Sequence, residues 1–255
     1  MSEIPVALVT VRTSSGRLPN KCFLPLGGIS VLEHVIRRVQ TGELHPIVCT
    51  SVEASDDLIE NLATRLGVEV FRGDLENKLN RWKACMQEFG LDTAHIVDAD
   101  DPYFDPVEIH ESFELLTKTP LDLVLTSARS DSGFASVGTS IRFRFIEELV
   151  NRATQLRGDN FDVIPWDLLL RSDDCMTSMP DKNLGIPADV ELRLTLDYPE
   201  DYEMLTVLGN TFEYDVPRFS IEKHLLANPE LTKSNLFRNE DFLKNKQDFK
   251  RTQFQ

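Results

Sequence analysis

The chain has 255 residues, 41% of them hydrophobic, which suffices for a sizeable core in one domain spanning residues 1–255. Its 42 acidic residues against 27 Lys and Arg give a formal charge of −15, which argues against nucleic acid or an anionic membrane as a partner. The apolar runs are too short for a membrane span and "MSEIPVALVTVR" lacks the marks of a signal peptide, so a cytoplasmic location is expected.

Read in chain order, residues 4 to 11 form a buried strand and a helix opens at Ser30, with Glu33 completing a capping box and Val31, Leu32, Val35, Ile36 and Val39 on its inner face. "PIVCTSV" is a second strand. Ser55 then caps "DDLIENLATRL", whose Leu58, Ile59, Leu62 and Leu66 share a face, and Gly67 ends it. "VEVFRG" is a third strand, and Leu75, Leu79, Trp82, Met86 and Phe89 carry the next helix up to a fourth strand, "AHIVDAD". Four βα units in succession predict an α/β fold with a mostly parallel sheet covered by helices on both faces.

The rhythm weakens after "LDLVLTSA", and residues 129 to 190, with a short helix near "RFIEELV", read as an excursion from the sheet. Order returns with a strand at "DVELRLTLD" and a helix whose first turn holds Pro199 and acidic residues. Cys22, Cys49, Cys85 and Cys175 are widely spaced, without a metal-type pair, and predict a reduced, zinc-free protein.

In parallel sheets ligands lie outside the carboxyl ends of the strands, and three such ends carry unusual chemistry. After the first strand, "VRTSSGRLPNK" supplies Arg12, Arg17 and Lys21, with Ser14, Ser15 and Gly16 where backbone N–H groups can approach a phosphate. "DADDPYFDP" follows the fourth strand with Asp98, Asp100, Asp101 and Asp105, and the late strand ends at Asp197. Basic groups neutralise a polyphosphate, whereas carboxylates there repel it unless a divalent cation intervenes, and Mg²⁺ suits one or two carboxylates plus phosphate oxygens. Singly, each residue has an ordinary structural reading. Arg12 is then a solvated strand end, Asp98 or Asp100 caps the turn before Pro102, Asp105 is the N-cap at Pro106, and Asp197 caps the helix at Pro199.

The loop "VRTSSGRLPNKCFLPLGGISVLEHVIRRV" resembles the opening motif of the bacterial cytidylyltransferases that activate acidic sugars. The likeness is strongest to the spore-coat polysaccharide branch and more distant to the 3-deoxy-manno-octulosonate and acylneuraminate cytidylyltransferases. Arg12, Ser15, Arg17, Leu18, Pro19 and Lys21 fall on the pattern A-R-x-x-S-x-R-L-P-x-K. "VFRGDLENKLNRW" resembles a second block and adds Arg72 and Arg81 as nucleotide-binding residues. "VDADDPYFDP" stands where the family reads G-D-x-P-x-x-D-P, and "RLTLDYPEDYE" resembles R-x-T-x-D-x-P-E-D, which makes Asp100 and Asp197 the metal-binding acids. Val11 and Ala99 depart from the family's usual alanine and glycine, Asp98 then reinforces the metal site, and "GDNFDVIPW" with Asp162 only loosely matches a middle block.

The resemblance implies a Rossmann-like nucleotidyltransferase that transfers CMP from CTP to an acidic sugar or related anion and releases pyrophosphate. Arg17, Lys21, Asp100 and Asp197 would be catalytic, Arg12 would bind phosphate or base, and Mg²⁺ would be the cofactor. It also implies a homodimer joined through 129–190, where Phe134, Val137, Ile141, Phe143 and Phe145 cluster, unless that stretch binds the acceptor. Two rival readings are a glycosyltransferase using a D-x-D metal motif, which would release no pyrophosphate, and a non-catalytic nucleotide-binding subunit.

Overall fold

The computed structural model describes residues 4–127, 136–157, 169–180, 190–241 and 244. The chain runs through β1 (Val6–Thr10), a small hairpin of β2 (Pro25–Leu26) and β3 (Ile29–Ser30), and α1 (Val31–Thr41). There follow β4 (His45–Ser51), α2 (Asp57–Arg65), β5 (Glu69–Gly73), α3 (Lys78–Glu88), β6 (Thr93–Asp98) and α4 (Pro106–Lys118). Next come β7 (Leu123–Leu125), β8 (Thr139–Arg142), α5 (Phe143–Arg157) and β9 (Met176–Ser178). The last helices are α6 (Pro199–Thr211), α7 (Arg218–Ala227) and α8 (Pro229–Leu236).

A seven-stranded sheet has the order β5-β4-β1-β6-β8-β7-β9. β5, β4, β1 and β6 are parallel, β8 runs antiparallel between β6 and β7, and β9 is parallel to β7. Side chains alternate across it with the two-residue period of a strand. Ala7, Val9, Val48 and Val97 join one apolar cluster with α1, α2 and Ile109 of α4, while Leu8, Ile47, Cys49 and Ile96 join another with α3 and α5. The expected two-faced α/β sheet is thus observed. Because β4 and β5 lie on one side of β1 and β6 on the other, the topology reverses between β1 and β6, and a crevice opens beyond their carboxyl ends.

Local details correct several expectations. Ser30 Oγ accepts from the Glu33 N–H, but the Glu33 carboxylate takes Arg37 at 2.7 and 2.9 Å instead of closing a capping box. Residues Ala54–Asp56 wind as a 3-10 turn, so α2 begins later than expected and Leu58 points outward while Ile59 and Leu62 are buried. α3 likewise starts after Leu75, with Asn77 Oδ1 accepting from the Asn80 N–H. The described part of 129–190 extends the sheet through β8, α5 and β9. Val137, Ile141 and Phe145 are buried in the chain's own core and Phe143 packs against it, so they do not offer the apolar surface the dimer expectation drew on. Phe134 and Asp162 lie outside the described residues.

The expected late strand carries no sheet ladder. Leu192, Leu194 and Leu196 bury themselves against α6 and α7 in a third cluster, which removes their apolar surface from water without strand pairing. No described helix is long and apolar enough to cross a membrane. The four cysteines are unbridged, with Cys22, Cys49 and Cys85 buried and Cys175 exposed.

Just before β8 the chain passes close to the β6 backbone. At Gly138 the backbone has φ +88°, and a Cβ there would lie 1.8 Å from the Ile96 carbonyl oxygen, so Gly is required. Beside it the buried His95 Nε2–H donates to Val137 O at 2.6 Å, while Nδ1 accepts from Ser140 Oγ at 2.8 Å, an arrangement that needs the neutral ring. Burial lowers its pKa from 6.5 to about 4. The unfolded chain therefore takes up the proton first as pH falls, and the folded state loses stability from about pH 6.5 down to about pH 4. Urea titrations should show about 3 kcal/mol of this loss between pH 7 and pH 4 disappearing in His95→Gln. An unchanged pH dependence in that variant would contradict the assignment.

Candidate active site

The loop after β1 is shaped by a buried acid, Asp56, which the sequence alone places merely as the first residue of the helix after Ser55. Asp56 Oδ1 accepts from Thr13 N–H and Thr13 Oγ1 at 2.8 and 2.7 Å. Its Oδ2 accepts from Thr50 Oγ1, Ser51 N–H and Ser51 Oγ at 3.0, 3.2 and 2.5 Å. Burial alone would raise its pKa, but these donors bring it below the usual carboxylate range. One ionised side chain thereby fastens residues 13, 50 and 51 together at adjacent strand ends. The adjoining hydroxyl-bearing residues at the ends of two expected strands were the available signal.

From this anchor the loop turns through Asn20, whose φ of 56° is left-handed, into the 3-10 turn Lys21–Phe23. That turn carries Lys21 back to the acids. Its Nζ lies 2.6 Å from Asp100 Oδ2, 2.8 Å from Leu196 O and 3.0 Å from Asp197 Oδ1. Arg17 Nη2 reaches the same Asp197 oxygen at 2.7 Å. Basic groups and acids therefore interleave instead of occupying separate walls, because opposite charges in a half-buried crevice are mutually neutralising. Burial opposes the charge on Lys21, yet Asp100 and Asp197 more than compensate and raise its pKa above the usual lysine range. Asp100 is lowered correspondingly, burial being outweighed by Lys21 and then Lys78.

Asp197 does not cap α6. The N-cap is Tyr198, and Asp201 in the first turn reaches back to accept from the Asp197 and Tyr198 N–H groups at 3.0 and 2.9 Å. Asp105 is the expected N-cap of α4, accepting from Val107 N–H. Asp101, next to Asp100, is buried, and its pKa is pushed well up by burial and by Asp100 and Asp98. Asp98 takes Lys78 Nζ at 2.9 Å, with that ammonium also 4.8 Å from the centroid of Trp82. Lys78, on the first turn of α3, is a charged wall residue that the sequence reading missed.

A cleft of about 480 Å³ is lined by residues that include Arg12, Ser15, Arg17, Lys21, Lys78, Arg81, Asp98 and Asp100, with the buried Asp197 behind Arg17 and Lys21 and outside the lining. Arg12 donates to Leu75 O at 2.9 Å, and Arg81, buried and lowered in pKa by that burial, donates to Asp74 O and Leu75 O. Arg72 is placed elsewhere. Its guanidinium is committed to Asp57, Glu60, Ser51 O and Glu53 O at the β4–α2 junction, where four acceptors hold it off the lining. Among the described residues no group of three or more His, Cys, Asp or Glu gathers as a metal site. Asp98 turns to Lys78, but Asp100, Asp197 and Leu196 O converge on one cationic atom, an all-oxygen set whose chemistry suits a hard divalent ion.

A family model described as cytidylyltransferase matches residues 6–150. The spore coat polysaccharide biosynthesis protein SpsF of Bacillus subtilis is 28% identical over 105 residues, covering 39% of this chain and 44% of that protein. The chain spans about half the length of the curated relatives it matches. Among solved structures, a cytidylyltransferase from Leptospira borgpetersenii has a TM-score of 0.78 at 21% identity, with 91% of this chain and 98% of that one covered. A CMP:2-keto-3-deoxy-manno-octonic acid synthetase complexed with CTP has a TM-score of 0.55 at 14% identity, covering 81% and 98%. At these identities the two structures share the fold.

The Asp56 anchor has a direct test. Asp56→Ala leaves buried hydroxyl and N–H donors without an acceptor and should cost on the order of 3 kcal/mol in urea unfolding, well above a surface substitution. Wild-type stability in this variant would remove Asp56 as the anchor.

Proposed function

The chain belongs to the cytidylyltransferase family, and from that premise we propose that it transfers CMP from CTP to an acidic sugar or a related anionic acceptor. The observation that carries the reading is the convergence of Arg17 and Lys21 with Asp100 and Asp197 beyond the β1 and β6 ends. The acceptor oxygen attacks the α-phosphorus and forms a new P–O bond. The α–β bridging bond breaks and its electron pair leaves with pyrophosphate. No protein nucleophile is needed, so catalysis rests on alignment and charge stabilisation.

Arg17 and Lys21 stabilise the leaving phosphates. The half-exposed Arg17 can turn to the phosphates, while the buried Asp197 keeps Lys21 as its counter-charge. Arg12 and Arg81, both steered by Leu75 O, bind phosphate or base, and Ser15 borders the phosphates. Arg72 keeps the β4–α2 junction in place instead of touching nucleotide. Asp100 and Asp197 would hold Mg²⁺, which when bound neutralises charge on the α-phosphate and polarises it toward attack. The relation to SpsF supports an acceptor used in polysaccharide synthesis.

Pyrophosphate release from CTP with Mg²⁺ and a panel of acidic sugars tests the reaction. CTP should exceed UTP, ATP and GTP, and a ligand at about 100 times its Kd should add about 3 kcal/mol of thermal stability. Equal stabilisation by all four nucleotides would contradict the base assignment. Asp100→Asn and Asp197→Asn should each fold, retain nucleotide binding and lose most turnover, with the double variant little worse than either. Near-normal turnover in either single variant would sink the paired-acid mechanism.

A further inference from the structure

Helix α8, in the carboxy-terminal part of the chain, lies outside the residues matched by the family model, yet it is linked to Asp197 through Asp201 and Arg193. Arg193 is fully buried and forms a two-pronged pair with Asp201, Nε to Oδ1 at 2.7 Å and Nη2 to Oδ2 at 2.9 Å. Its Nη2 also lies 3.7 Å from Asp197 Oδ2, the oxygen opposite the one facing Arg17 and Lys21. Asp201 Oδ2 accepts the Asp197 N–H as well, so the same carboxylate holds the backbone of Asp197 and the guanidinium behind its side chain. Closing the set from α8, the buried Asn235 gives Nδ2–H bonds to Asp201 Oδ1 at 2.9 Å and Arg193 O at 3.1 Å. Arg193 Nη1 meets Asn239 Oδ1 at 3.1 Å beyond it.

We propose that Arg193, Asp201 and Asn235 form a clamp in which the carboxy-terminal helix positions the Asp197 carboxylate for turnover. The physical reason is that Asp197 lies in a segment without a strand ladder, so no sheet hydrogen bonds fix its direction. A buried bidentate Arg–Asp pair is rigid and directional, and it leaves Oδ1 as the oxygen that faces Arg17 and Lys21. Asn235 is a positioning residue: it contacts neither the cleft lining nor Asp197 itself, and acts through Asp201 and Arg193. The same cluster is braced on its outer side by Arg238, which pairs with Glu200 at 2.8 Å and covers the Tyr198 ring at 4.7 Å.

The proposal rests on the reading of Asp197 as a working acid, and the experiment separates the two. The full chain is compared as wild type, Asn235→Ala, Asp197→Asn and the double variant, with kcat and KM for CTP from pyrophosphate release and with thermal midpoints. Asn235→Ala should lower kcat about tenfold with KM for CTP within about twofold, and raise the Mg²⁺ concentration needed for half-maximal rate. In the Asp197→Asn background the same substitution should leave the residual rate unchanged, since the carboxylate it positions is gone. A purely structural role would instead lower the rate equally in both backgrounds or lower only the melting midpoint, and either result overturns the clamp. Arg193→Lys keeps the charge without the fork and should show the same kcat loss; wild-type kcat in both Asn235→Ala and Arg193→Lys also overturns it. If Asp197→Asn itself retains wild-type turnover, the reading of Asp197 fails first, and the clamp falls with it.

Discussion

One ammonium group organises the site. Lys21 Nζ is shared by Asp100, Asp197 and the Leu196 carbonyl, so it joins the loop after β1, the turn after β6 and the segment before α6 at a single point. Three pieces of chain far apart in sequence must close for those distances to hold. At an effective dielectric of about 20, each of the two ion pairs is worth roughly 4 kcal/mol before desolvation is subtracted, so losing either charged partner leaves a poorly solvated charge behind. Two buried devices make the closure precise. Asp56 fixes where the loop leaves β1, and Asp201 with Arg193 fixes where Asp197 enters from the other side.

The sheet was legible in the sequence because burial on two faces writes continuous apolar strands and 3.6-residue helices, as in β1, α1 and β4. The site was legible as a list of strand-end residues. Its internal pairing was not: nothing in the spacing of Lys21, Asp100 and Asp197 says that one cation lies between two acids. The cap expected at Ser55 failed for a related reason: the chain there winds as a 3-10 turn, and the neighbouring Asp56 is drawn to Thr13, Thr50 and Ser51.

The late segment shows the limit of periodicity. "LRLTL" alternates as a strand does, but its leucines pack beneath α6 and α7 while Arg193 turns to Asp201 and Thr195 to Asp101, so alternation is satisfied without a sheet neighbour. Arg72 shows another limit. Its block places it near nucleotide, while four local acceptors on the β4–α2 junction capture its guanidinium first. Asp98 is captured similarly by Lys78, which narrows the proposed metal-binding pair to Asp100 and Asp197.

The central claim is that these two acids and the loop cations form one nucleotide–metal site. Electron paramagnetic resonance of Mn²⁺ titrated into the protein, with and without CTP, tests it most directly. A single tight Mn²⁺ per chain should form only with CTP present, because Lys21 otherwise neutralises the acids, and it should vanish when Asp100 and Asp197 are both changed to Asn. Equal Mn²⁺ binding without CTP, or undiminished binding in that double variant, would contradict the account.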